Sequence, residues 1–305
     1  MKQTIFTGTA TALITPFSAD GKEVDYSSFE KLVEFQVNNS IDALVVSGTT
    51  GESPVLSTNE KNELIRIARN SCGKIPVIAG TGSNNTIEAV RKSNEAEKQG
   101  VNGLLIVTPY YNKCTQDGII EHYNYIANRV STPIIVYNVP SRTGVTIAPE
   151  TYSSLSEIKN IVAVKEASDS ISAFNKSITI ANDMTFYSGN DDLTISMMAY
   201  GAQGVISVVS NIIPSIMKDI TDLCLSGKFD YAVNLHKKYL KLMNSMFCEV
   251  NPIPIKSACK HQFGFNDTVR LPLTAISKKN EDNIIKILND LSINELINFD
   301  VSKTI

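Results

Sequence analysis

Eight short runs of apolar and β-branched residues, at 8–17, 43–48, 76–82, 103–109, 133–140, 161–168, 186–190 and 204–210, recur through the first two thirds of the chain. Longer stretches separate them, among them 26–39, 59–71, 86–99 and 118–130, in which apolar residues return every three or four positions. Most of the short runs are apolar on both faces, the pattern of strands covered by helices on each side of a parallel sheet. Pro76 and Pro133 open their runs, where a missing N–H does little harm. Eight is also the number of strands that closes a barrel. An open doubly wound sheet is the alternative, but no GxGxxG follows the first run, so a dinucleotide fold has no positive support. From about Pro214 onward the spacing is helical only, as in 231–247 and 282–291. The expectation is an α/β fold, a (β/α)8 TIM barrel over residues 1–229. A C-terminal helical extension over 230–305 would pack on the barrel or form an oligomer contact.

Length allows one or two domains, since barrels of this kind run to roughly 250 residues as a single unit. With 28 Lys+Arg against 31 Asp+Glu, the net charge of −3 makes no field that would steer the chain to nucleic acid or an anionic membrane. No apolar run of about 18 residues suggests a membrane span, and the first 17 residues lack a secretory pattern. The five cysteines are scattered without a CxxC pair, which reads as a reduced, cytoplasmic protein. His122, His236 and His261 make no metal-binding spacing, and Cys259 with His261 supplies only two ligands, so no metal is expected.

In such a barrel the active site forms at the C-terminal ends of the strands. Polar residues gather there: Ser47 to Glu52 after the second run, Gly80-Thr81-Gly82 after the third, and Thr108 to Tyr111 after the fourth. Tyr137 and Asn138 end the fifth and lead into Ser141-Arg142-Thr143-Gly144. The sixth, Ile161 to Ser168, carries Lys165 inside an otherwise apolar run. Desolvation inside a barrel disfavours an ammonium and favours an amine able to attack a carbonyl. The alternative is a lysine facing solvent or paired with Glu166. The Gly48-Thr49-Thr50-Gly51 turn offers hydroxyls and backbone N–H groups to a ligand carboxylate, or is an ordinary strand–helix turn. A phenol such as Tyr137 is a poor base at neutral pH without a hydroxyl relay and a nearby positive charge, and it could equally be packing. Arg142 suits bidentate carboxylate recognition, or is a surface arginine. Together an amine nucleophile, a phenol, two hydroxyls and a guanidinium suit imine chemistry on a keto acid.

Seven motifs carry a resemblance: Gly48-Thr49-Thr50-Gly51-Glu52, 107–112 with Thr108-Pro109-Tyr110-Tyr111, 137–144, Val164-Lys165-Glu166-Ala167, Ser188-Gly189-Asn190-Asp191, Gly204-Val205-Ile206-Ser207, and Asn251-Pro252-Ile253-Pro254-Ile255-Lys256. Over about residues 6–272 the chain resembles the dihydrodipicolinate synthase (4-hydroxy-tetrahydrodipicolinate synthase) family. That family sits among the pyruvate-dependent Schiff-base aldolases with N-acetylneuraminate lyase and the 2-keto-3-deoxy sugar acid aldolases. The resemblance implies that pyruvate and L-aspartate 4-semialdehyde condense without a cofactor in lysine and diaminopimelate biosynthesis. It implies a Schiff base on Lys165, the pyruvate carboxylate on Thr49 and Thr50, and a relay of Tyr137, Thr50 and Tyr111. Tyr111 would reach in from a neighbouring subunit of a homo-oligomer, a dimer of dimers. Arg142 would bind the semialdehyde carboxylate, and Gly189 and Ile206 would line the pyruvate pocket. Thr49 and Arg142 separate the synthase from the lyase, which usually carries Ser before the Thr and lacks the Arg. A lysine effector site is implied at Ser53, Asn84, Glu88 and Tyr110. Lysine-sensitive members carry histidines where this chain has Thr58 and Lys61, so weak or absent lysine inhibition is expected. The 251–256 motif matches without a physical role, and the stretch after Leu291 is longer than usual and has no assigned role.

Overall fold

A computed structural model describes residues 2–293; the stretch from 294 to the end lies outside the described residues. Eight parallel strands, β1 (Gly8–Ala12), β2 (Ala43–Val46), β3 (Val77–Gly80), β4 (Gly103–Val107), β5 (Ile134–Asn138), β6 (Ile161–Glu166), β7 (Thr185–Ser188) and β8 (Gly204–Ser207), close into a barrel in chain order. The carbonyls of Pro76 and Pro133 still accept from Leu44 and Leu104 on the neighbouring strands, so each proline costs the ladder only its missing donor. The first strand is shorter than the apolar run suggests. Past Ala12 the Ile14 N–H donates to the Asn211 side chain, and Phe17 bridges antiparallel to Val24, so the run leaves the sheet while staying buried.

Closure depends on a glycine. Gly204 of β8 pairs with Gly8 of β1 at φ +148, and a Cβ there would sit 1.8 Å from the Gly8 carbonyl oxygen. Only a residue without a side chain lets the two strands meet at that register.

Helices α1 (Tyr26–Asn38), α2 (Thr58–Ser71), α3 (Thr86–Lys98) and α4 (Gln116–Ala127) cover the first half of the barrel. Their starts are capped by the side chains of Asp25, Ser57, Asn85 and Thr115, with a reciprocal Ser57–Glu60 box at α2. The short α5 (Pro140–Thr143) precedes α6 (Pro149–Ser156), followed by α7 (Ile171–Ile180) and α8 (Thr194–Ala199). Next, α9 (Pro214–Leu225) packs on β1 and β8 as the eighth helix of the ring. Beyond it α10 (Phe229–Ser245), α11 (Ile253–Phe263) and α12 (Lys278–Asp290) form the C-terminal region. Strand alternation divides the apolar residues into two cores. Ala10, Val45, Ile78, Leu105, Ile135 and Ile206 fill the barrel, while Leu44, Val46, Leu104, Ile106, Val136 and Val164 face the helices. Phe6 stacks on Tyr187 at 4.2 Å beside the N-terminal end of the barrel. Among the described residues no helix is long and apolar enough to cross a membrane.

Candidate active site

Strand register decides which way Lys165 points. Tyr137 of β5, Lys165 of β6 and Tyr187 of β7 are partners across the sheet, and both tyrosines belong to the interior core. Lys165 therefore projects into the barrel, 6% exposed, with its Nζ 4.4 Å above the Tyr137 ring. Glu166, the next residue, points outward. Its carboxylate accepts from Asn138 Nδ2 at 2.9 and 3.0 Å, from the Tyr152 hydroxyl at 2.8 Å and from Ser168 N at 2.9 Å. Burial and that carboxylate push the Tyr152 phenol well above its ordinary range, so it stays a donor. With Glu166 satisfied in the helix layer, Lys165 has no carboxylate within 4.0 Å among the described residues. It is a buried amine facing a cavity, the arrangement a carbonyl nucleophile needs.

Gly189, just past β7, makes room for it. A Cβ at that position would lie 2.6 Å from Ala167 Cβ and 3.1 Å from Lys165 Cε. Behind the same wall, Asp191 Oδ2 accepts from the N–H groups of Val208 and Val209 at 3.1 and 2.9 Å, tying the ends of β7 and β8 together. Burial pushes the Asp191 carboxyl up, against the two N–H groups and the positive field of Lys165.

The turn after β2 presents Thr49 and Thr50, whose backbone N–H groups have no protein acceptor among the described residues. They are free to bind an anion. Thr50 Oγ1 accepts from Asn251 Nδ2 at 3.0 Å, which leaves the hydroxyl proton to point elsewhere. Glu52 ends the turn in the left-handed region at φ 54, and its carboxylate meets Lys256 Nζ at 2.6 Å and Arg270 N at 3.0 Å. Arg142, on α5 and closed by Gly144 at φ 73, donates to the Asn251 carbonyl at 3.2 Å. The 251–256 segment thus has a physical role: it holds the Thr49–Thr50 turn and the guanidinium in one frame.

These elements surround a cavity of about 310 Å³ at the C-terminal ends of the strands. Thr49, Thr50, Tyr137, Arg142, Lys165 and Gly189 all line it. Ile206 is fully buried within the barrel and does not; Val208, next along the same strand end, does. Tyr111 is 89% exposed at φ 76 and also lies off the cavity of its own chain. Sequence reasoning named Asn190 and Asn251 within motifs but gave them no role, and it did not single out Asp169, Asp192, Asn244 or Phe247; all six line the cavity, from just beyond the sixth and seventh strands and from the C-terminal region. Of the positions considered for an effector, Ser53 and Tyr110 line a second cavity. Asn84 Nδ2 donates to the Tyr110 carbonyl at 3.2 Å, and Glu88 pairs with Arg91 at 2.6 Å. A buried amine, unpaired N–H groups for an anion, a phenol stacked under the amine and a guanidinium at the rim can bind a 2-keto acid and activate it as an imine.

Comparison with known proteins supplies the family. Residues 5–291 match the model of the dihydrodipicolinate synthetase family. The 4-hydroxy-tetrahydrodipicolinate synthase of Fervidobacterium nodosum is 46% identical over 292 residues, 95% of this chain and 99% of that protein. Synthase 1 of Clostridium acetobutylicum is 48% identical over 279 residues, 90% and 94% of the two chains. Among solved structures, the dihydrodipicolinate synthase of Thermotoga maritima superposes with a TM-score of 0.93 at 40% identity, covering 95% of this chain and 100% of that one. A monomeric dihydrodipicolinate synthase variant matches with the same score and identity, covering 95% and 98%. With that coverage and identity, the chain belongs to the dihydrodipicolinate synthetase family.

Proposed function

We propose that the chain catalyses the 4-hydroxy-tetrahydrodipicolinate synthase reaction in lysine and diaminopimelate biosynthesis, joining pyruvate to L-aspartate 4-semialdehyde through an imine on Lys165. The observation that carries it is the buried, unpaired Lys165 amine facing a cavity whose rim holds the free N–H groups of Thr49 and Thr50. Lys165 Nζ attacks the pyruvate ketone and loses water to form the imine. The protonated imine withdraws electrons, so the methyl group gives up a proton and becomes an enamine. Its carbon attacks the semialdehyde carbonyl, forming the C–C bond and, after proton uptake, an alcohol. The substrate amine then adds to the imine carbon, the ring closes, and Lys165 leaves as the free amine. Tyr137, beneath the amine, exchanges the protons with Thr50, whose oxygen already accepts from Asn251. Arg142 holds the semialdehyde carboxylate.

Tyr111 completes the relay of a neighbouring copy, its exposure in its own chain supporting that placement. The working assembly is therefore a homo-oligomer, with a dimer as minimal active unit and a dimer of dimers as the full form. The five thiols, all free, accord with a cytoplasmic setting. The catalytic frame spans the 1–229 barrel and the 230–293 helical region, because Asn251 joins Thr50 to Arg142.

N-acetylneuraminate lyase or sugar-acid aldolase activity would use the same imine. Thr49 and Arg142 favour the semialdehyde. Pyruvate offered with each aldehyde in turn separates them: turnover with L-aspartate 4-semialdehyde and none with an N-acetylated amino sugar is expected, and the reverse preference would overturn the assignment.

A further inference from the structure

The second cavity, about 360 Å³, shares Gly48, Thr49, Tyr137 and Arg142 with the first and extends from them toward α2 and α3. Its far wall carries Lys61 of α2 and Lys92 of α3, both half-buried. Among the described residues neither lysine's ammonium has a carboxylate within 4.0 Å or a hydrogen bond. The acidic side chains around them are engaged elsewhere: Glu88 and Glu95 on Arg91, Glu60 on Arg270. Ser47 lines both this cavity and the narrow cleft that Lys61 and Lys92 also line. Its hydroxyl is buried, at 3% exposure, and has no partner. A buried polar atom without a partner, beside two desolvated cations, is a donor set lacking its acceptor. Burial and the Lys92 charge pull the Lys61 pKa down to about 8, the cost of placing two ammonium groups in one half-closed space. Positions around this cavity are those that the family resemblance gives to a cationic amino-acid effector, yet here the wall presents positive charge.

We propose that this cavity binds a small oxyanion, a carboxylate or a phosphate, between Lys61 and Lys92 with the Ser47 hydroxyl as a third donor. The anion's charge offsets the repulsion of the two ammonium groups, and its oxygens take the three unused donors. Lys61 and Lys92 line the second cavity but not the first, so the two lysines can be substituted without removing a group that lines the imine site.

Isothermal titration calorimetry tests it on the full chain saturated with pyruvate, which fills the Thr49–Thr50 carboxylate site, and in parallel on Arg142→Gln, which removes the anion-binding guanidinium that lines both cavities, so that only heat common to the two is read. Succinate and inorganic phosphate are titrated separately, and the arm that gives saturable heat tells which oxyanion fits. One site per chain is expected, weakened roughly tenfold or more in Lys61→Gln and in Lys92→Gln, as loss of a charge-assisted hydrogen bond implies. Lys61→Arg, which keeps the charge, should stay within about threefold of the unaltered protein. Pyruvate KM and the thermal midpoint report that each variant is folded and competent. No saturable heat from either anion, or binding that survives both Gln substitutions, overturns the site. Binding is read whatever reaction the first cavity runs, so failure here leaves the catalytic reading untouched.

Discussion

Lys256→Met tests how the C-terminal region holds the Thr49–Thr50 turn. Lys256 and Glu52 form an ion pair at 2.6 Å with side chains 0% and 1% exposed. The Lys256 ammonium also lies 4.1 Å over the Phe17 ring, and burial lowers its pKa against the pull of Glu52. Methionine conserves most of the side-chain volume, so the substitution removes charge with little change in packing. Among the described residues it leaves the buried Glu52 carboxylate with only the Arg270 N–H as hydrogen-bond partner. Removing one member of a buried pair costs about 3–5 kcal/mol. At roughly 2.1 cal/mol/K per residue, unfolding of a chain this long carries an entropy of about 0.6 kcal/mol/K, so the midpoint should fall by about 5–8 °C. Glu52 closes the turn that carries Thr49 and Thr50, so the pyruvate KM should rise as well. Scanning calorimetry with steady-state kinetics reads both effects. The Glu52→Gln/Lys256→Met double variant removes the stranded charge and should recover most of the lost stability. A single variant within about 1 °C of the parent, or a double variant as unstable as the sum of the two singles, would refute the role given to this pair.

Gly189→Ala should lower kcat by roughly a hundredfold with little change in secondary structure, because its methyl group would press on Lys165 Cε and displace the amine; unchanged kcat would contradict that. His122 is buried with Nδ1 2.9 Å from Thr86 Oγ1, and burial pulls its pKa down to about 4. Between that value and its unfolded pKa near 6.5 the unfolded chain binds the extra proton, so stability falls as pH drops through this window. The loss should be on the order of 2 kcal/mol at pH 5 relative to pH 7, as read by urea unfolding. His122→Gln should flatten that dependence, and an unchanged slope would assign it to other groups. Lysine at submillimolar concentration should leave the rate nearly unchanged, since Lys61 opposes a cationic effector; loss of half the activity would refute this.

The barrel was legible because parallel strands covered on both faces must be apolar throughout, and helices between them must show a 3.6-residue period. Both signals are local. Strand ends were less exact where side chains replaced the ladder, as Asn211 does at Ile14. The cavity residues on strand ends were legible for the same reason, being polar groups at the close of apolar runs. The direction of Lys165 was not. Only the register with Tyr137 and Tyr187, and the outward bonds of Glu166, choose between the interior amine and an ion pair with its neighbour. Asn251, Asn244 and Phe247 reach the site through tertiary docking of a segment distant in the chain, which no periodicity encodes. The 251–256 motif stood out in sequence, but its role required seeing Asn251 against Thr50 and Lys256 against Glu52. Ile206, expected to line the pyruvate pocket, is fully buried in the barrel interior, and Val208 lines the cavity at the same strand end.

The central claim is that the Lys165 amine forms the imine, and borohydride reduction of the protein with pyruvate tests it most directly. Peptide mass mapping should find one reduced pyruvate adduct per chain, on Lys165, and none after Lys165→Ala. An adduct on another lysine would move the chemistry elsewhere. No adduct on any residue, in protein that turns over, would contradict the imine mechanism.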